Sequence, residues 1–458
     1  MLKLNNVTPS QQSVMEVRTE VLEPLTANSQ YVKFVLDKKG ILNSGSTITF
    51  QLVKSSTNGS HRCFLPIKTG ALSLFKRVSL KIGGKTIQTT DEVGLYSTFL
   101  RSFKTQEEKV GIDQSMIGTN DRMCNSLENN GELQMRDAVY ADATTSTCPD
   151  RLLITNSVDT TPEWSVKLSQ LFPMLKNLQF PLYLQQEQMT IELELNKQSA
   201  TENGVIACFN NTAIAANQTE VKPVIESFKL LSDHLYYNDD KLQSLAKSVN
   251  SSEGIVVPYT DMNCIRSAYT TAGAESNKDV SRDLQLSGQS IKSIILADVN
   301  TTRGNTLLGK YCVDGYHEPD NYNIKINDRL MYSKPIERES QKLNELANVM
   351  GRDLHISMGE YSYAGIVDES FAEQTHFFST ATFEGQPMRT HLENSQHWIG
   401  IDTITNPFKE VGNGLRSNKQ ITFERKVTTQ GGTTRELKYF VHVERILQMK
   451  GGFVNVSA

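Results

Sequence analysis

No stretch of the 458-residue chain approaches the roughly 18 consecutive apolar residues of a membrane-spanning helix, and the amino-terminal MLKLNNVTPSQQ lacks the apolar run of a signal peptide. Both absences point to synthesis and folding in the cytosol. Cysteine is scarce and scattered: Cys63, Cys124, Cys148, Cys208, Cys264 and Cys312 include no closely spaced pair for zinc and no compact disulfide framework. Free thiols in a reducing compartment are expected, and sequons such as Asn58-Gly59-Ser60 read as polar loops, not glycan acceptors. Excess charge is missing too. Lys and Arg number 47 against 51 Asp and Glu, for a net charge of −4, and no basic run exceeds a pair such as Lys38-Lys39. A chain that coats nucleic acid electrostatically needs a basic stripe to neutralise phosphates, so sequence-specific or charge-driven nucleic-acid binding is not expected.

Motifs that carry chemistry are absent as well. The sequence holds no GxSxG elbow, phosphate-binding GxxxxGK[ST] loop, HExxH or GxGxxG. The eight histidines, His61, His234, His317, His355, His376, His391, His397 and His442, include no HxH pair of the kind that holds a metal in cupin-like barrels. The densest polar cluster is Asp314, His317, Glu318 and Asp320, which reads as a solvated loop around Pro319 in preference to a cation site. Asp239-Asp240 reads as an acidic pair at a helix start, where the helix dipole favours it. No catalytic, cofactor-binding or metal residue is assigned, and no cofactor is expected.

What the chain does have is alternation. Ile48, Phe50 and Leu52 are separated by polar residues, and the pattern recurs at Val78, Leu80, Ile82; at Met189, Ile191, Leu193, Leu195; at Tyr322, Ile324, Ile326; and at Leu437, Tyr439, Val441, Val443. Period-two patterning is the mark of strands buried on one face, hence of antiparallel sheets and an all-β class with few helices. Three helices are expected. One starts with Thr89 and Glu92 spaced as a capping box and carries Val93, Tyr96, Leu100 and Phe103 on one face. One is capped by Asn238, and one opens at Pro335, runs through Leu343, Leu346, Ala347 and Met350 and stops at Gly351.

A single core rarely grows past roughly 250–300 residues, so two domains are expected. An internal duplication supports this: VSLKIGGKTI (Val78 to Ile87) and YNIKINDRLM (Tyr322 to Met331) are each a strand, a two-residue turn and a second strand followed by a helix. Their offset, 324 − 80 = 244, is close to half the chain. The only two tryptophans recur in similar settings, Trp164 nine residues before Pro173 and Trp398 nine before Pro407. Long polar stretches at 104–162 and 251–280 read as insertions at one end.

The segments FPLYLQQEQMTIELELN (Phe180 to Asn196) and FKLLSDHLYYNDDKLQSLAKS (Phe228 to Ser248) resemble the double jelly-roll major capsid proteins of eukaryotic DNA viruses, of the polinton-like virus and virophage type. The resemblance implies two tandem eight-stranded antiparallel jelly-roll β-sandwiches. It places the first at 1–238, with a polar amino-terminal arm and a long insertion around 104–162, a linker helix at 239–249, and the second jelly roll at 250–458. It further implies a structural, non-enzymatic virion protein, made in the host cytoplasm. Its homotrimers would form pseudo-hexagonal capsomers that tile an icosahedral shell around double-stranded DNA, with penton and minor capsid proteins as partners and the insertions as outer towers. The competing expectation is a secreted or surface two-domain β-sandwich that binds carbohydrate or another ligand.

Overall fold

A computed structural model describes residues 14–55, 62–65, 69–104, 108–119, 153–176, 178–196, 207–209, 221–270, 277–286, 288–300, 321–326, 329–350, 382–383, 386–387, 398–405, 412, 414–416, 420–428 and 434–457. The amino-terminal arm at 1–13, most of the insertion around 104–162 and the Asp314–Asp320 cluster lie outside the described residues.

The first half is built from β1 (Val14–Leu22), β2 (Tyr31–Val35), β3 (Ile41–Leu42), β4 (Thr47–Phe50), β5 (Phe75–Ile82), β6 (Lys85–Asp91), helix α1 (Val93–Ser102), β7 (Trp164–Lys167), β8 (Phe180–Pro181), β9 (Met189–Leu195) and β10 (Lys229–Tyr237). One sheet runs β7-β4-β10-β3-β8, with β1 along the other side of β10; the facing sheet runs Thr26–Ala27, β2, β9, β5, β6. Strand β9 shows why these sequences make sheets: its residues alternate strictly between buried and half-buried. Ile191 sits opposite Phe34 on one neighbour and Leu80 on the other, so the apolar side chains of three strands fall on one face.

Helix α2 (Asp239–Val249) follows directly, with the Asn238 side chain accepting from the Lys241 backbone N–H at 3.2 Å and Asp239 and Asp240 in the first turn. The second half comprises β11 (Ile255–Thr270), β12 (Asn277–Asp283), β13 (Ser290–Asn300), β14 (Asn321–Ile326), β15 (Arg329–Leu330), helix α3 (Glu339–Met350), β16 (Trp398–Asp402), β17 (Leu415–Arg416), β18 (Ile421–Thr428), β19 (Thr434–Lys450) and β20 (Phe453–Ser457). Its sheets are β11-β19-β13-β16, with β17 on β13 and β20 on β19, and β12-β18-β14-β15.

The two halves share one topology. Order β1-β10-β4-β7 matches β11-β19-β13-β16, and β2-β9-β5-β6 matches β12-β18-β14-β15, all antiparallel. Each is a jelly roll, and the duplicated hairpins are the equivalent pairs β5-β6 and β14-β15.

Four expectations need correction. The 251–280 stretch is no insertion: sixteen of its residues form β11, paired along its whole length with β19. Its polar residues hid the strand because they sit at a junction that satisfies them. Glu92 does not cap α1 through a capping box, since Thr89 lies in β6 and Glu92 makes no capping bond. Helix α3 begins at Glu339, with Pro335 in the turn before it. The tryptophans occupy equivalent strands but opposite faces: Trp164 fills the first sandwich's core beside Phe50, which stacks on Phe228, whereas Trp398 points outward beneath α1 and α3.

The two interiors differ in chemistry. The first is an apolar cluster centred on Phe34, Phe50, Phe75, Leu80, Trp164 and Ile191. The second adds a buried ion pair, Arg425 Nη1 to Asp298 Oδ2 at 2.9 Å, linking opposing sheets, with the Tyr269 hydroxyl donating to the same carboxylate at 2.8 Å.

Candidate functional site: the junction between the two sandwiches

The most elaborate constellation of side chains is the seam where edge strand β6 meets edge strand β11. The Gln88 amide donates to the Thr260 carbonyl at 3.1 Å while its oxygen accepts from the Met174 backbone N–H at 3.1 Å. The Tyr259 hydroxyl donates to the Ile87 carbonyl at 2.5 Å. Asp261 is almost fully buried, and burial raises its carboxyl pKa against the opposing pull of Arg445, whose Nε lies 3.0 Å away.

Above the seam sits Glu92, in the left-handed backbone region at φ 52°. A non-glycine residue there is strained and persists where its surroundings hold it. Here the holding is electrostatic. The Glu92 carboxylate meets Arg266 at 2.5 Å and Lys438 at 2.9 Å, both from the second sandwich. The strained turn starts α1, which stays packed on its own sandwich through Val93 and Thr98 and lays its aromatic side chains on the outer face of β19.

There Tyr96, Phe99 and Phe103 form a third apolar cluster with Met262, Ile295, Leu346, Trp398 and Phe440. Phe99 meets Trp398 edge-on at 5.0 Å between centroids, and Tyr96 lies 5.4 Å from Phe440. Inside this cluster His442 bridges the halves, its Nε2 2.7 Å from the Tyr96 hydroxyl and its Nδ1 2.7 Å from the Ser293 hydroxyl. Burial, with the Lys292 ammonium adding to it, pushes the imidazole down to about 4, so it is neutral near pH 7. Cys264, beside the same seam, has its thiol pushed up to about 12, chiefly by burial. A thiol held so far above neutral pH is not a nucleophile.

At the base, the β19-β20 hairpin reaches back onto the first sandwich: Lys85 Nζ donates to the Val454 carbonyl at 3.1 Å, and the Gln186 backbone N–H donates to the Gly452 carbonyl at 2.8 Å. Leu447, Met449 and Val454 accordingly belong to the first sandwich's core. These contacts tie the base of the second sandwich to the first.

Among the described residues no three His, Cys, Asp or Glu side chains converge as metal ligands, and no helix is long and apolar enough to cross a membrane. The sequence displayed the junction only in pieces. Tyr96 and Phe103 lie on the apolar face read from α1, but Asp261, Arg266, Lys438 and His442 carried no local signal, because their partners lie about 150 to 350 residues away.

Chains with two sandwiches of this topology joined in tandem have the double jelly-roll fold, and that is the fold of this protein. No protein-family model matches the chain, and no curated protein matches it in sequence. Solved structures do share its fold. A chain of the Sputnik virophage structure aligns with TM-score 0.59 at 11% identity, covering 97% of this chain and 88% of that one. The Faustovirus major capsid protein aligns with TM-score 0.53 at 10% identity, covering 95% and 90%, and the mavirus major capsid protein with TM-score 0.51 at 9% identity, covering 100% and 93%.

Proposed function

We propose that this chain is a major capsid protein. Its copies trimerise into pseudo-hexagonal capsomers, and these tile an icosahedral shell around double-stranded DNA, with penton and minor capsid proteins as further partners. The reading divides the chain into a first jelly roll at 1–238, a linker helix at 239–249 and a second jelly roll at 250–458. It makes the protein a structural component of the virion, not an enzyme.

One observation carries it: two sandwiches of the same topology are fixed to each other by a junction with a buried apolar centre, an ionic clip and backbone-directed hydrogen bonds. A ligand-binding module gains nothing from such rigid duplication. An assembling shell does, because three chains then present six similar sandwiches and meet sixfold neighbours with threefold symmetry. The full-length relatives of the same fold named above include two major capsid proteins.

The test is the mass of the purified protein by light scattering, with negative-stain images of the same sample. Trimers of hexagonal outline, or closed shells, are expected. A monomer across a wide range of concentration and salt would sink the reading.

A further inference from the structure

The junction inside one chain joins the β6 edge of the first sandwich to the β11 edge of the second. Two equivalent edges are left over. Among the described residues the counterpart of β6 is β15, which pairs only with β14, and the counterpart of β11 is β1, which pairs only with β10. Helix α3 does not cross to another sandwich as α1 does. It folds back onto its own sheet, where Gly400 lets it approach so closely that a Cβ there would lie 2.9 Å from the Leu346 Cα. Among the described residues the β15 lip is therefore left uncovered.

We infer that the β15 lip of one copy docks on the outer face of β1 of a second copy, head to tail, repeating between chains the seam made within each. The inference rests on the trimer reading and names the surfaces that build it. Five of the eleven large apolar side chains exposed among the described residues lie on these two edges: Val17 at 58%, Val21 at 58% and Leu25 at 70% on or just after β1, and Leu330 at 46% and Met331 at 39% on the lip. Val17 and Val21 alternate on the face turned from the core, while Leu22 packs inward. An open groove of about 730 Å³, bounded by Met331, Tyr332, Lys334, Pro335 and Asn344, lies behind the lip and gives such side chains a place to seat.

The charges match as well. Residues 16–25 carry Glu16, Glu20 and Glu23 against a single Arg18, and residues 329–338 carry Arg329, Lys334 and Arg338 against a single Glu337. At the intrachain seam the carboxylate of Glu92 comes from the hairpin-helix side and meets the cations Arg266 of β11 and Lys438 of β19. A basic lip is drawn to the acidic β1. Each copy offers one lip and one strand, a heterologous contact that closes into a ring when the rotation permits.

The experiment uses full-length protein and three variants. V17D/V21D and L330D/M331D replace exposed side chains, so thermal unfolding of the isolated chain stays near wild type while the mass falls from three chains to one. V21C/L330C forms covalent links between copies under mild oxidation that neither single cysteine variant forms. Persistent trimers in both aspartate variants overturn the inference and leave the trimer reading standing. A link from V21C alone shows a symmetric strand-to-strand contact and likewise overturns it. A monomeric wild type removes the trimer reading, and the inference with it.

Discussion

At the scale of single residues, the two sandwiches accomplish equivalent packing by different means. Trp164 and its ring neighbours make the first core apolar, whereas the second spans its sheets with Arg425 and Asp298, both almost wholly inaccessible. Removing one member of a buried pair strands the other's charge, so D298A is expected to cost about 3–5 kcal/mol in denaturant unfolding. His442 supplies a second residue-scale prediction. Its folded pKa, about 4, lies below the ordinary value of 6.5, so the unfolded chain binds the extra proton more readily. Stability from this group is complete above about pH 6.5 and is lost as pH falls toward 4. H442Q should flatten that acid limb of a Tm-versus-pH curve, and an unchanged limb would assign the acid sensitivity to other groups.

At the scale of elements, the duplicated hairpin-helix shows how one local pattern gives two outcomes. Both helices follow an equivalent hairpin, but α1 leaves through the left-handed Glu92 and crosses to the neighbouring sandwich, whereas α3 lies on β16 against Gly400. E92A removes two charged contacts from a largely buried carboxylate and leaves the strained backbone without compensation. A loss of about 1–3 kcal/mol is expected by thermal unfolding. G400A should destabilise by a similar amount, about 1–3 kcal/mol, because the added Cβ meets helix backbone that must move as a unit.

At the scale of the whole molecule, the third apolar cluster draws on both sandwiches, and the first core takes in Leu447, Met449 and Val454 from the end of the chain, so the two halves are packed through shared apolar contacts. The isolated chain should unfold in a single calorimetric transition. F99A, costing about 3–5 kcal/mol at the cluster's centre, should separate that transition into two or broaden it markedly. A second transition already present in the wild type would show the sandwiches to be independent. Rigidity on this scale suits the proposed role, since an angle that drifted within each chain would blur the symmetry of a shell.

The sequence by itself determined the strands whose alternation is strict, such as Met189–Leu195, the asparagine-capped α2, the duplication and so the doubled fold, because each is encoded by residues near one another along the chain. Tertiary structure alone decided the rest. It turned a polar stretch into the sixteen-residue β11, faced Trp398 outward where Trp164 faces in, and converted Glu92 from an expected helix cap into a clip between sandwiches. The physical reason is common to all three. A charge or a large ring takes its role from the group that meets it, and here those groups come from strands far away in sequence, brought close only when two sandwiches pack side by side.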